Sequence, residues 1–216
     1  MPIICIDPGH NNKDADTGAQ ANGLREELLT LDICQRIKPL LEFNGFTVVM
    51  TRDGDFVNGA HNTLIESLQT RCYIANKAQA NLFISVHINA GGGSGVEVFA
   101  LPGGQAEKAA KIALYYLVQQ TGLTDRGVKS DSFYVLKNTN MPAILTENGF
   151  IDNHSDAQKL ANPDFRQRIA IAHAKAVCDY FGQEYKEQGT TEQQQPDKVQ
   201  ETLKLAKQIV SIWESK

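Results

Sequence analysis

Two histidines and two glutamates stand where a folded sheet would bring them together. His10 follows a β-branched run at residues 3–6, His87 follows an apolar run at 82–86, and Glu147 follows another at 143–146. Loops beyond the carboxyl ends of strands converge in an open α/β sheet, so these three side chains are candidates for one site. Glu26 joins them from the start of the first long helical pattern, which the loop after the first run feeds directly. Two imidazoles and a carboxylate make up the His₂Glu set that holds zinc in several hydrolases and leaves a fourth position for water. Each residue also has a plainer reading. A strand-end histidine is often structural, and Arg25-Glu26-Glu27 fits the charged first turn that a helix macrodipole favours. Glu147 fits equally well a buried carboxylate satisfied by arginine or backbone groups.

The elements that would position these residues are legible from periodicity. Residues 3–6 read as a buried strand halted by Asp7-Pro8-Gly9. Leu24, Leu28, Leu31, Ile33, Ile37, Leu40 and Leu41 recur at helical spacing up to Asn44-Gly45, a helix stop. Strands are expected at 46–50, 82–86, 96–101, 133–136 and 143–146. Thr63 and Glu66 form a capping box for a helix running to about residue 78. An alanine-rich helix follows Gly104, with Ala106, Ala109, Ala113 and Leu117 on one face, and residues 165–181 form the last helix of this region. Alternating strands and helices predict an α/β fold, a single twisted, mostly parallel sheet with helices on both faces. It occupies residues 1–182. Residues 183–196, rich in Gln, Glu and Thr, read as a polar linker. Residues 197–216 resume a helical stripe through Val199, Leu203, Ala206, Ile209, Val210 and Trp213, a C-terminal amphipathic helix whose apolar side is expected to dock on the first domain or to form a homodimer.

Composition narrows the function classes. The 216 residues carry a net charge of −4 with no basic stripe, which argues against nucleic acid as a partner. No run of about 18 apolar residues would span a membrane, and the N-terminus has no basic region of a signal peptide. Cys5, Cys34, Cys72 and Cys178 lie far apart in apolar segments, the pattern of buried free thiols made in a reducing cytosol.

Six segments then carry a resemblance: IDPGH at 6–10, GLREELLTLDI at 23–33, TRDGD at 51–55, RCYIANKAQANLFISVHINA at 71–90, GVEVF at 95–99 and PAILTENGFIDN at 142–153. In this order they resemble the zinc-dependent N-acetylmuramoyl-L-alanine amidases of bacterial autolysins and phage endolysins, over roughly residues 1–182. The resemblance implies one zinc ion held by His10, Glu26 and His87, with Glu147 as the catalytic acid and base. It implies peptidoglycan as substrate, cut between muramic acid and L-alanine. It also implies cell-wall degradation, and the N-terminus without a basic region adds the expectation of an enzyme made in the cytoplasm without a signal peptide and acting on the wall after release. Counting back from Leu31-Asp32-Ile33 places Glu26, rather than Glu27, at the ligand position.

Arg52 and Arg71 are read as ion pairs that orient loops or satisfy buried carboxylates, Asn89 as a residue that contacts the substrate peptide or holds a ligand loop, and Ser130, Asp131 and Ser132 as a polar turn. His61 and His154 are expected in loops and His173 in a helix. The alternatives are a carboxypeptidase-type zinc enzyme and a non-catalytic wall-binding protein. The first would want its first histidine and glutamate only a few residues apart, and the second would have lost one of the four site residues. Residues 91–95 pass directly into the next strand, leaving no room for the helix with which some bacterial relatives cover the metal. An open site needing no activator is therefore expected.

Overall fold

The computed structural model describes residues 1–11, 16–55 and 63–188. The six-stranded sheet has the order β4-β1-β5-β8-β6-β7. Its strands are β1 (Ile3–Pro8), β4 (Thr47–Met50), β5 (Leu82–Asn89), β6 (Val96–Ala100), β7 (Asp125–Lys129) and β8 (Ala143–Phe150). Every neighbouring pair is parallel except β6 and β8, which run antiparallel. A two-stranded hairpin, β2 (Gln20–Ala21) with β3 (Leu24–Arg25), precedes the first helix.

Alternation along the strands divides the core. Ile4 and Ile6 of β1 enter one apolar cluster while Cys5, between them, enters the other, as a period of two requires. The larger cluster is closed by α1 (Glu26–Phe43), α3 (Gly104–Thr121) and α6 (Pro163–Tyr180), the smaller by α2 (Leu64–Lys77) and the single turn α4 (Tyr134–Lys137). The helix α1 buries Ile33, Ile37 and Leu41 completely, a stabilisation of roughly 1.5–3 kcal/mol for each side chain. It stops at Asn44, and Gly45 follows at φ 84°, where a side chain would be strained. The capping box of α2 forms as expected: Glu66 N donates to Thr63 Oγ1 and Thr63 N donates to the Glu66 carboxylate. All four cysteines are buried and free.

Three local expectations change. Residues 133–136 are not a strand. β7 takes the edge beside β6, and Val135 and Leu136 instead enter the smaller core from α4. β7 itself carries Asp125, Arg126 and Lys129 and has no apolar alternation to reveal it. His154 opens a helix, α5 (His154–Ala161), because the Asn153 side chain accepts from Ser155 N and Asp156 N. The start of the polar 183–196 segment is anchored, since Asn44 Oδ1 accepts from Lys186 N and Asn44 O from Gln183 Nε2. The rest of that segment from residue 189, the amphipathic 197–216 stretch and His61 lie outside the described residues. Among the described residues no helix is long and apolar enough to cross a membrane.

Candidate active site

At the carboxyl end of β1 the chain turns through Gly9 into His10, which adopts φ 59°, a left-handed conformation rare for a non-glycine residue. A Cβ on Gly9 would lie 2.4 Å from the His87 ring. Glycine is therefore what allows the β1 loop to reach the end of β5. Two buried arginines hold this turn from either side. Arg52 donates to the carbonyls of Pro8, Gly9, Gly54 and Glu27. Arg71 donates to the carbonyls of Pro8 and His10 and to the carboxylates of Asp7 and Asp16. Asp7 also accepts from Thr51 Oγ1 and Ser85 Oγ. Burial alone would raise the Asp7 pKa, but the Arg71 charge and these hydrogen bonds outweigh it and the pKa is lowered. Arg71 thus makes the expected ion pairs, to Asp7 and Asp16, while Arg52 orients the loop through carbonyls and forms no ion pair among the described residues.

Glu26 is the first residue of α1, and its carboxylate lies between the two imidazoles. Its Oε1 is 3.3 Å from His10 Nε2 and 3.2 Å from His87 Nδ1. Two backbone amides fix it there: Ile88 N donates to Oε1 at 3.0 Å and Ala19 N to Oε2 at 2.9 Å. The irregular register of β5 between His87 and Asn89 accompanies the release of Ile88 N to this bond. Glu27 turns elsewhere and pairs with Arg25 at 2.5 Å. The second ring nitrogen of His10, Nδ1, faces Asp16 Oδ1 at 3.2 Å, and Asp16 in turn accepts from Ser67 and Arg71. Sequence reasoning missed Asp16. No periodic pattern marks it, and only its place between His10 and Glu26 hinted at a role.

These contacts set the charges. Burial would lower the His10 pKa, but Asp16 and Glu26 raise it to about 10. Burial likewise opposes ionisation of Asp16, whose pKa is nonetheless brought down to about 2 by His10 and Arg71. Glu26 also falls well below the ordinary carboxylate range, its burial outweighed by the two histidines. Donor atoms of His10, Glu26 and His87 all lie within 4.8 Å of one another. Two donors about 2.1 Å from one zinc at a tetrahedral angle would be about 3.4 Å apart. The two separations to Glu26, 3.2 and 3.3 Å, match that spacing and all three donors lie within 4.8 Å, so the donor set suits the ion.

Glu147 stands on β8 directly opposite His87 on β5. Its Oε2 is buried with no hydrogen-bond partner among the described residues. Burial, then the charges of Glu26 and Glu97, raise its pKa well above the ordinary value. With His10 and His87 it lines a cavity of about 300 Å³ whose other wall includes Leu64, Leu68 and Tyr134. Asn89 donates to Glu97 Oε1 at 2.8 Å and does not bind a ligand loop. The 90–95 connection from β5 to β6 carries no helix. It is tied down by Asp152, which accepts from Gly91 N and Gly92 N, and by Asp156, which accepts from Ser94 Oγ and Gly95 N.

Three convergent donors beside a buried, unpartnered carboxyl define a site suited to metal-assisted hydrolysis. Comparison with known proteins narrows that class: residues 4–179 match the N-acetylmuramoyl-L-alanine amidase family, and the chain belongs to it. It is 40% identical over 185 residues to the N-acetylmuramoyl-L-alanine amidase CwlM of Bacillus licheniformis, covering 84% of this chain and 69% of that protein. It is 36% identical over 197 residues to the endolysin of Bacillus phage SPP1, covering 87% and 69%. Among solved structures it resembles the N-acetylmuramoyl-L-alanine amidase AmiC2 of Nostoc punctiforme, with a TM-score of 0.75 and 31% identity over 83% of this chain and 97% of that one.

Proposed function

We propose that this amidase cuts peptidoglycan at the amide joining the lactyl group of muramic acid to L-alanine, with His10, Glu26 and His87 holding one zinc ion and Glu147 moving the proton. Family membership supports the bond, and it sets aside the carboxypeptidase-type reading. The observation that carries the residue roles is the register of His87 against Glu147, with Glu26 placed between His87 and His10. Bound there, zinc supplies Lewis acidity toward an amide carbonyl and makes a water acidic near neutral pH.

The chain's own groups supply the rest. His10 is oriented through Nδ1 by Asp16, which fixes its tautomer and strengthens it as a donor. Glu147 accepts a proton from the attacking water and returns one to the departing L-alanine nitrogen, a poor leaving group until protonated. Its buried Oε2, free of any competing hydrogen bond, suits both transfers. The apolar wall of Leu64, Leu68 and Tyr134 limits water around the reacting carbonyl. Peptidoglycan lies outside the membrane, so the enzyme acts on the wall after release.

The test is mass spectrometry of purified peptidoglycan digested with and without chelator. The expected products are glycan strands with free lactyl carboxylates and peptides with free L-alanine amino groups, both absent in chelator. Cleavage within the peptide, or cleavage indifferent to chelator, would refute the reading.

A further inference from the structure

The row of side chains that holds His87 and Glu147 continues across two more strands. Glu97 on β6 lies directly opposite Glu147, and it is buried, 4% exposed. Its Oε1 accepts from Asn89, and its Oε2 accepts from Arg126 Nε at 2.7 Å and Lys129 Nζ at 2.5 Å. Both cations belong to β7, the edge strand beside β6. With both oxygens engaged, Glu97 is an anchor and not a second proton carrier.

Two cations sharing one carboxylate leave a net positive charge, carried by side chains 34% and 39% exposed. Arg126 uses only Nε on Glu97. Among the described residues its Nη1 and Nη2 have no hydrogen-bond partner, and its guanidinium lies 4.8 Å above the Phe150 ring. A guanidinium fixed along one edge and over one face presents its remaining pair of nitrogens as a two-point receptor for a carboxylate. Lys129 Nζ sits 5.8 Å from the Phe99 ring, so its stem too is packed in place.

We propose that Arg126 and Lys129 form a subsite for a carboxylate on the peptide of the substrate, and that this subsite selects which peptides the enzyme accepts. The proposal deepens the amidase reading and rests on it. β8 and β7 are separated by β6, two strand spacings or roughly 10 Å. An extended peptide leaving the cut nitrogen beside Glu147 covers that distance in about three residues. The carboxylate that fits is therefore borne by the second or third residue of the peptide, and the peptide crosses β6 toward β7. Holding the peptide at this point would also keep the scissile nitrogen beside Glu147.

The experiment uses the zinc-loaded full chain and synthetic muramoyl tripeptides, identical except that the carboxylates of the second and third residues are free or amidated one at a time. The readout is kcat/KM for release of the peptide. Wild type should favour one free-acid substrate over its amide by about tenfold, the worth of one partly exposed charge-assisted pair. Arg126→Gln should lose that preference, slowing the acid substrate about tenfold more than the amide. Lys129→Met should shift it the same way, and Arg126→Lys should keep part of it. Equal rates on acid and amide forms in wild type would overturn the subsite, and this comparison stands even if a variant fails to fold. A variant that slows both substrates equally would show that the cluster only fastens β7, which also overturns it. Cleavage of neither substrate by wild type would overturn the amidase reading and the subsite with it.

Discussion

His87 and Glu147 occupy opposed positions on adjacent parallel strands, so backbone pairing sets the Cα spacing between a residue whose imidazole faces Glu26 and one whose buried Oε2 has no partner among the described residues. Glu147→Gln keeps the volume and removes the proton carrier. It should leave bound zinc at one per chain by elemental analysis while kcat falls by about 10²- to 10⁴-fold. A rate near that of wild type would remove Glu147 from the chemistry.

The two adjacent glutamates should separate cleanly. Glu26→Gln takes away the carboxylate between the histidines and is expected to abolish stoichiometric zinc. Glu27→Gln alters only the pair with Arg25 and should retain it. Zinc lost from the Glu27 variant and kept by the Glu26 variant would reverse the assignment.

On the proposed zinc reading Asp16 would act on the ion through His10. Asp16→Asn should weaken zinc binding about 10- to 100-fold in competition with a chelating dye. Arg71→Met is a different lesion. It leaves the fully buried Asp7 without its cation and should cost about 3–5 kcal/mol in denaturant unfolding.

His173 gives the protein an acid-side weakness. This helix residue is buried, its Nδ1 has no partner among the described residues, and burial lowers its pKa from 6.5 to about 4. Between those values the unfolded chain binds a proton that the folded chain excludes, so stability falls as pH drops from 6.5 toward 4, by roughly 3 kcal/mol in all. His173→Gln should flatten that part of the stability profile. In the metal-free protein His10 works in the opposite sense. Its raised pKa contributes stability that is complete below pH 6.5 and is lost as pH climbs toward 10. An unchanged acid limb in the His173 variant would contradict the first assignment.

No helix interrupts the connection from β5 to β6. The full chain should therefore digest purified cell walls from the first minutes of mixing, with no lag and no partner. A lag relieved only by added protein would show that the site is covered by another means.

Much of the site was legible in the sequence because its residues obey one rule: His10, His87 and Glu147 lie at or near the carboxyl ends of parallel strands, and Glu26 opens a helix fed by the first of those loops. Glu97 escapes the rule. It lies near the start of β6, and because β6 runs against β8 its start meets the same end of the sheet. Asp16 and Arg126 sit in segments whose polarity resembles ordinary loop, so periodicity was silent about both. The run at 133–136 shows the other failing of pattern. Four residues with three apolar side chains suit a strand and a helical turn equally, and only the edge already taken by β7 decides between them. The helix at His154 was within reach, since Asn153 is an ordinary N-cap.

Glu26 is held by main-chain amides from two separate parts of the molecule, Ala19 ahead of the hairpin and Ile88 in the strand beneath it. The carboxylate is thus in place without an ion, and with Asp16 it favours the protonated form of His10. On the proposed zinc reading, the incoming metal would displace that proton, so zinc occupancy should fall as the pH is lowered.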